Sequence, residues 1–189
     1  PDYNIKFNNY YTNSKFIEKI YDDNNAILNN QKNILFTDFT SKKLCEKNWA
    51  FFSLNKIIQC VYEWYPITIC NVHKESFSII KNKIIKTPEY FKGAYGSSQG
   101  FKFKNEIWFI VHKKKLIKKD IIYFDYTHFI VIFDLDMNLK KFSELFKFEN
   151  KKIEYCLNLH VKENIITISG SILDRKPFIA NENKNNLLS

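Results

Sequence analysis

Glycine, proline and arginine are all scarce in this sequence, and each scarcity excludes a class of protein. The chain has 189 residues, of which only four are glycine and four are proline. These counts exclude collagen-like repeats and proline-rich linkers. No apolar stretch approaches the roughly 18 to 20 residues that a membrane-spanning helix needs, and the first residues lack the charged and then apolar pattern of a secretion signal. We therefore expect a soluble, cytoplasmic protein.

Lysine supplies almost all of the positive charge. Lysine and arginine together number 29 against 20 acidic residues, for a formal net charge of +9, and Arg175 is the single arginine. Proteins that read nucleic acids rely on the planar arginine fork for bidentate contacts to guanine and phosphate. The excess of Lys, Asn, Ile, Phe and Tyr is typical of an AT-rich genome. We interpret the lysines as solvated surface and expect neither a nucleic-acid nor a membrane partner.

The four cysteines, Cys45, Cys60, Cys70 and Cys156, do not form a metal-binding pattern. They include no C-x-x-C pair, and no histidine stands at zinc-ligand spacing. Three of them lie inside apolar runs, where a free cysteine behaves as a small buried hydrophobe. The sequence therefore predicts reduced structural thiols, with no metal and no cofactor.

What the chain has in abundance is strand-forming residues. Aromatic residues make up 17% and hydrophobic residues 45%, enough for a real core. Only Asn13 to Tyr21 has helical spacing, and that spacing is weak. Short aromatic or β-branched runs separated by polar turns predict strands nearly throughout. These runs are Ile34–Phe39, Trp49–Leu54, Ile57–Trp64, Ile67–Val72, Phe101–Phe103, Ile107–His112, Phe129–Phe133, Leu139–Phe148, Tyr155–Val161, Ile165–Ser169 and Phe178–Ala180.

A hairpin pattern recurs three times along the chain. Each copy is an apolar strand, a tight polar turn with an asparagine (Asn55, Asn105 or Asn164) and a second strand that opens with isoleucine. A third strand follows each copy. The turn asparagines are 50 and 59 residues apart, which is typical of four-stranded propeller blades. The alternative is that any antiparallel protein contains similar hairpins by chance.

The residues just before each hairpin would meet if the copies are blades. In a propeller, the innermost strands open onto one central funnel. Glu46, the segment Ser97 to Gln99, and Glu154 precede the three hairpins and would converge there. Two convergent carboxylates in a concave site are what cleavage of a glycosidic bond needs. The alternative for each carboxylate is a structural role at a strand start, as an acceptor of backbone N–H bonds.

An ordered series of short strings extends this pattern over residues 35–180. The series resembles the five-bladed propeller domains related to glycoside hydrolases and mannoside phosphorylases, which occur alone or fused to glycosyltransferases in bacteria and large DNA viruses. The strings are Glu46–Trp49, Tyr62–Pro66, Gly96–Gln99, Trp108–His112, His128–Asp134, Ile153–Cys156, and Ile168–Ser169 with Asp174.

The resemblance implies a fold and a set of site residues. It implies an all-β, incomplete or degenerate β-propeller of about three to four blades at 34–180. Residues 1–33 are then an N-terminal extension or partial blade, and the polar composition of 181–189 predicts a flexible tail. The resemblance makes Glu46 and Glu154 the catalytic candidates. The substrate-binding candidates are Asn48, Trp64, Tyr95, Ser98, Gln99, His112, His128, Tyr155 and Asp174.

The chain also departs from the family pattern. Tyr95 stands where relatives have an arginine, and Phe124–Thr127 replaces an Arg-Tyr-Tyr-His segment. Arginine is the residue that holds phosphate or a sugar oxyanion, so both losses bear on catalysis. Five blades of about 50 residues need roughly 250 residues, more than this chain has. The early Asp-Pro-Arg-like element of complete relatives is absent as well.

Three functions remain open at this stage. One is a glycoside hydrolase or phosphorylase with Glu46 and Glu154 as acid and base. Another is a non-catalytic glycan-binding or accessory module, associated with a glycosyltransferase. The last is an interaction subunit whose open edge is completed by a protein partner. The lysines at 113–115 and 118–119 are interpreted as a solvated loop, or else as a docking surface for an acidic partner.

Overall fold

The fold is all-β, as the sequence predicts. The computed structural model describes residues 14–17, 32–36, 48–73, 78–118, 122–151 and 153–188, without the side chains of 14–17, 32–36, 78 and 122. Its elements, in chain order, are β1 Ser14–Ile17, β2 Lys32–Phe36, β3 Ala50–Leu54, β4 Ile57–Trp64, β5 Ile67–Val72, β6 Ser78–Ile85, a 3-10 turn Glu89–Phe91, β7 Ala94–Gly96, β8 Phe101–Phe103, β9 Glu106–Lys118, β10 Ile122–Asp134, β11 Leu139–Phe142, β12 Glu154–Lys162, β13 Ile165–Ile172, β14 Lys176–Asn183 and α1 Lys184–Leu188.

The strands form three sheets that follow one another along the chain. The first has the order β1-β2-β6-β5-β4-β3 and is antiparallel except for the parallel pair β2–β6. The second has the order β11-β10-β9-β7, and β8 also pairs with β9. The third is the meander β12-β13-β14. Within the described ranges, none of the three sheets closes on itself.

The three predicted hairpins are confirmed. They are β3–β4, β8–β9 and β12–β13, and each turns at the predicted asparagine. Asn55 and Lys56 both have left-handed φ values, 50° and 65°, as a two-residue hairpin turn requires. Lys104 and Glu163, which precede the other two asparagines, have φ values of 54° and 51°. A third strand follows each hairpin in the same sheet, which is β5, β10 or β14.

The second sheet lies between the other two and contributes to both cores. Alternate side chains of β9 point to opposite faces. Phe109 and Val111 pack with Phe52 and Trp64 of the first sheet, in a core that we call the first interface. Trp108 and Ile110 pack instead with β12 and β13, in a core that we call the second interface. Because both cores include β9, the position of each outer sheet depends on this strand.

Cys60, Cys70 and Cys156 are free and buried, which confirms their prediction as small buried hydrophobes. Cys60 and Cys70 face each other across β4 and β5, in a cluster with Tyr62, Val72 and Ile79. Burial raises the pKa of the Cys156 thiol to about 12, so this side chain stays protonated at neutral pH. Cys45 lies outside the described residues.

Several segments differ from their sequence-based predictions. Of the predicted strand Leu139–Phe148, only Leu139–Phe142 is a strand, β11. Part of the stretch with weak helical spacing is strand β1, which pairs with β2. Lys113 to Lys118 belong to β9 rather than to a loop, because β9 pairs with β10 as far as Lys118. The expected tail after 180 contains the end of β14 and α1, and Leu187 and Leu188 pack against the second interface. Strand pairing or packing against another element, rather than the local pattern, decided these segments.

Candidate functional site

A polar cluster lies where the second interface stops being apolar. Along β9, Trp108 and Ile110 on this face are followed by His112. Along β10, Ile132 and Ile130 are followed by His128 and Tyr126 in the opposite direction. His112 and His128 are directly paired across the two strands, with ring centroids 6.4 Å apart. We call this end of the interface the histidine end.

Three tyrosines surround His112. Its ring stacks on Tyr95 at 5.6 Å between centroids, lies 5.4 Å from Tyr126, and meets Tyr155 edge-on at 5.5 Å. His112 itself is buried, whereas the three tyrosines are each half-buried. The Nδ1 atom of His112 is 2.7 Å from the hydroxyl of Ser97, which fixes the ring orientation. The result is a partly open wall of three phenol rings around a fixed imidazole.

The phenols of Tyr126 and Tyr155 remain protonated at neutral pH. Burial raises the pKa of Tyr126, and the carboxylate of Asp174 raises it further. Burial also raises the pKa of Tyr155, with smaller contributions from Cys156 and from Tyr126. Both hydroxyl groups can therefore donate as well as accept a hydrogen bond. Asp174 thus lies near the wall, in the exposed turn between β13 and β14.

Glu154 is fully buried, and its carboxylate is occupied by backbone groups. One oxygen accepts the N–H of Phe148 at 2.7 Å, and the other accepts those of Glu149 and Lys151 at 2.9 and 2.7 Å. Charge-assisted bonds of this kind are strong. The carboxylate therefore holds the loop after β11 against the start of β12. This is the contact pattern that the structural alternative for Glu154 predicts.

His128 is completely buried, and neither of its ring nitrogens has a hydrogen-bond partner among the described residues. Phe146 and Phe148 cover the ring, with centroid distances of 6.1 and 4.9 Å. Burial lowers the pKa of His128 to about 4, although the nearby Glu154 carboxylate acts in the opposite direction. The imidazole is therefore neutral at pH 7.

Two further predicted residues approach the cluster from the first sheet. A Cβ atom added to Gly96 would lie 2.4 Å from the carbonyl oxygen of Asn48 and 3.1 Å from Nε1 of Trp64. Asn48 is half-buried, with a left-handed φ of 64°. Trp64 is 3% exposed and packs edge-on against Phe109 in the first interface. Its indole is thus part of the core rather than of the open wall.

Ser98 and Gln99 have contrasting positions beside Ser97. The hydroxyl of Ser98 is buried and accepts the backbone N–H of Ile110 at 2.8 Å, so it fastens the loop after β7 to β9. Gln99 is exposed. Glu46 lies outside the described residues, so its separation from Glu154 stays untested and the acid–base pair stays a prediction.

Sequence reasoning missed Tyr126. This residue lies two positions before His128 on β10 and therefore on the same face of the strand. The alternation Tyr126-x-His128 places two polar residues on an otherwise apolar face of the strand, and this pattern could have identified Tyr126. Ser97 was predicted as part of the converging Gly-Ser-Ser-Gln segment, but its pairing with His112 needed the strand register of β7 on β9.

The part of the chain that the structure describes contains no group of three or more His, Cys, Asp or Glu side chains suited to holding a metal ion. Nor does it contain a helix that is long and apolar enough to cross a membrane.

The comparisons with known proteins give no family for this chain. No protein-family model matches it, and no curated protein matches it.

Proposed function

We propose that the protein is a glycan-binding module of the β-propeller type, and that it binds a sugar at the histidine end, against Tyr95, Tyr126 and Tyr155. The single observation that carries this proposal is the set of three half-buried tyrosines around His112. The choice of a sugar ligand rests on the resemblance to glycosidase-related propellers.

The chemistry of this wall suits a pyranose ring. An aromatic face matches the apolar C–H face of a sugar, and protonated phenols offer both donors and acceptors to sugar hydroxyls. Ser97 and the exposed Gln99 add further polar groups next to Tyr95. Asp174 contributes a carboxylate acceptor near Tyr126.

Binding without turnover is favoured by the contacts of Glu154. A general acid or nucleophile must reach the scissile bond with a free carboxyl oxygen. Both oxygens of Glu154 accept backbone N–H bonds, and the side chain is fully buried. A carboxylate committed in this way supports the non-catalytic alternative over the hydrolase or phosphorylase.

The arrangement of the sheets supports the propeller type. The three sheets follow one another in chain order, and neighbouring sheets pack face to face. The strand β12 approaches β8 and β9, with Phe101 4.7 Å from His160 and His112 5.5 Å from Tyr155 between ring centroids. Neighbouring propeller blades likewise pack against each other around a central axis.

A glycan array followed by calorimetry tests the proposal. We expect the wild-type protein to bind at least one neutral glycan, and Tyr126→Phe and Tyr155→Phe each to weaken that binding about tenfold through loss of one hydroxyl contact. Tyr90→Phe is the matched control. Its hydroxyl donates to the carbonyl of Ser143, and its ring packs in the first interface, on the other face of the second sheet.

Two outcomes would contradict the proposal. One is an array with no bound glycan. The other is equal weakening by Tyr90→Phe and by the two site variants. Incubation with aryl mannosides and aryl glucosides, with and without phosphate, examines turnover separately. Turnover that is lost in Glu154→Gln while the variant stays folded would favour the enzyme over the binding module.

A further inference from the structure

A groove lies at the end of the second interface opposite to the histidine end. It is an open groove of about 710 Å³ between the first residues of β9, the strand β11, the β12–β13 turn and α1. Its volume is within the range of roughly 300 to 1,000 Å³ typical of small-molecule sites. The residues that line it are Glu106, Trp108, Ile132, Lys140, Lys141, Asn164, Lys184, Asn185 and Leu188. We call it the lysine groove.

Three lysines from two separate elements converge on the lysine groove. Lys140 and Lys141 come from β11, and Lys184 comes from α1. The ammonium group of Lys184 lies 4.7 Å from the ring centroid of Phe103 and 5.9 Å from that of Trp108. Lys141 donates to the carbonyl oxygen of Leu188. These contacts hold the ammonium groups of Lys141 and Lys184 at the wall of the groove.

Among the described residues that line the groove, Glu106 is the one with a compensating charge. Glu106 accepts the indole N–H of Trp108 at 3.0 Å with one oxygen and contacts Lys140 at 2.6 Å with the other. Three lysines against one carboxylate leave two positive charges in the lining. Asn164 and Asn185 also line the groove, and a side-chain amide can donate hydrogen bonds. Two net positive charges with several N–H donors match a dianion.

We propose that the lysine groove binds the phosphate group of a small phosphomonoester such as a sugar phosphate. A phosphomonoester carries a charge of about −1.5 to −2 at neutral pH and offers strong acceptor oxygens. Lysine binds phosphate as a compact point charge and can do so without arginine. The volume exceeds what one phosphate group fills, so the organic part of the ligand has room beside Trp108, Ile132 and Leu188.

This site is separate from the proposed glycan site. Glu106 and His112 are six residues apart on β9, which corresponds to roughly 20 Å along an extended strand. The proposal does not depend on the glycan-binding function, and either one can fail while the other holds.

Calorimetric titration at low ionic strength tests the proposal with glucose 6-phosphate, glucose and inorganic phosphate as probes. We expect glucose 6-phosphate to bind, inorganic phosphate to bind more weakly, and glucose to show no binding in the groove. The triple variant Lys140→Gln, Lys141→Gln and Lys184→Gln should lose affinity for glucose 6-phosphate by about 100-fold or more. Added salt should weaken the binding of the wild-type protein.

A matched control removes the same charge elsewhere. Lys86, Lys115 and Lys118 are exposed and lie outside the groove, so their triple glutamine variant should keep nearly full affinity. The single variant Lys140→Gln addresses the case in which the triple variant fails to fold. Its side chain is 47% exposed, and we expect its affinity to fall about tenfold.

Three results would overturn the proposal. They are the absence of glucose 6-phosphate binding at low salt, an equal loss in the control variant, and an unchanged affinity in Lys140→Gln. If glucose bound as tightly as glucose 6-phosphate and this binding were lost in the same triple variant, the groove would not be recognising the phosphate group.

Discussion

Glu154 is a candidate catalytic residue, but its contacts in the folded chain are those of a structural residue. The sequence presents a carboxylate at the start of a strand, next to a family-like string. The folded chain surrounds that carboxylate with three backbone N–H groups from a six-residue stretch that precedes β12. Those donors belong to the segment from Phe148 to Lys151. The hydrophobic pattern of the sequence does not indicate that this segment returns to Glu154. The contacts are therefore visible only after folding.

The first prediction concerns the stability that Glu154 contributes. Glu154→Gln should lower the free energy of unfolding by about 2 to 4 kcal/mol, because a neutral amide accepts only part of the bonds that the carboxylate accepts. Urea denaturation at pH 7 measures the change. Glu149→Gln is the control, since that exposed side chain makes only a 3.7 Å surface pair with Lys176. Equal effects of the two substitutions would contradict the assignment.

The second prediction concerns His128 and acid. Its folded pKa of about 4 lies below the ordinary histidine value of 6.5, so the unfolded chain binds the proton more readily. The stability that neutral His128 contributes is therefore complete above pH 6.5 and is lost as the pH falls toward 4, by about 3 kcal/mol. His128→Phe should remove this part of the pH dependence. Urea midpoints measured between pH 7 and pH 4 check it, and an identical decline in both proteins would contradict it.

At the scale of elements, the close approach of β12 and β13 depends on a glycine. A Cβ atom on Gly170 would lie 2.3 Å from the carbonyl oxygen of Tyr155 and 2.8 Å from the ring of Phe178. Gly170 pairs with Cys156, next to a register shift in β12. The missing side chain thus allows the shifted strand, the neighbouring strand and the phenylalanine ring to pack together.

The third prediction follows from this contact. Gly170→Ala should destabilise the protein by about 1 to 3 kcal/mol, because backbone atoms must shift to admit the methyl group. Ser169→Ala in the same strand is the control, since Ser169 already carries a Cβ atom and is half-buried. Thermal unfolding of both variants provides the measurement. A Gly170→Ala protein as stable as the wild type would show that the strands tolerate a wider separation.

The strands were predicted correctly where the local sequence pattern agrees with the strand pairing in the folded chain. The three hairpins were predicted because an apolar alternation meets a polar turn at Asn55, Asn105 and Asn164. Strands β6 and β7 were missed. β6 contains Lys81 and Lys83 among its isoleucines, and β7 has only three residues. Both are strands because β6 pairs with β5 and β7 pairs with β9. A local sequence pattern does not reveal such pairing.

At the scale of the whole molecule, the second sheet joins two cores. Phe109 points into the first interface, and its neighbour Ile110 points into the second. A movement of β9 therefore affects both outer sheets. This arrangement predicts that the sheets unfold cooperatively rather than one at a time.

The fourth prediction tests that coupling. Phe109→Ala removes a fully buried ring that packs against Phe52, Trp64 and Phe133, and should cost about 3 to 5 kcal/mol. Amide hydrogen exchange should then accelerate in β13 of the third sheet as well as in β4 of the first. Leu116→Ala, at an exposed position of the same strand, is the control. Acceleration confined to the first sheet would contradict the coupling.

Local sequence patterns were enough to predict the strand class, the three hairpins and the buried thiols. Each of these depends on neighbours within a few positions, where alternation and turn chemistry act directly. Which polar residues meet depends on contacts that form when the chain folds. The strand register set His112 opposite His128, and the packing of two sheets brought Tyr155 to His112. The loop before β12 placed its backbone N–H groups on the Glu154 carboxylate. The lysine groove likewise exists only because α1 packs beside β11, more than forty residues away in sequence. Such contacts depend on the burial of distant surfaces, which a local pattern does not specify.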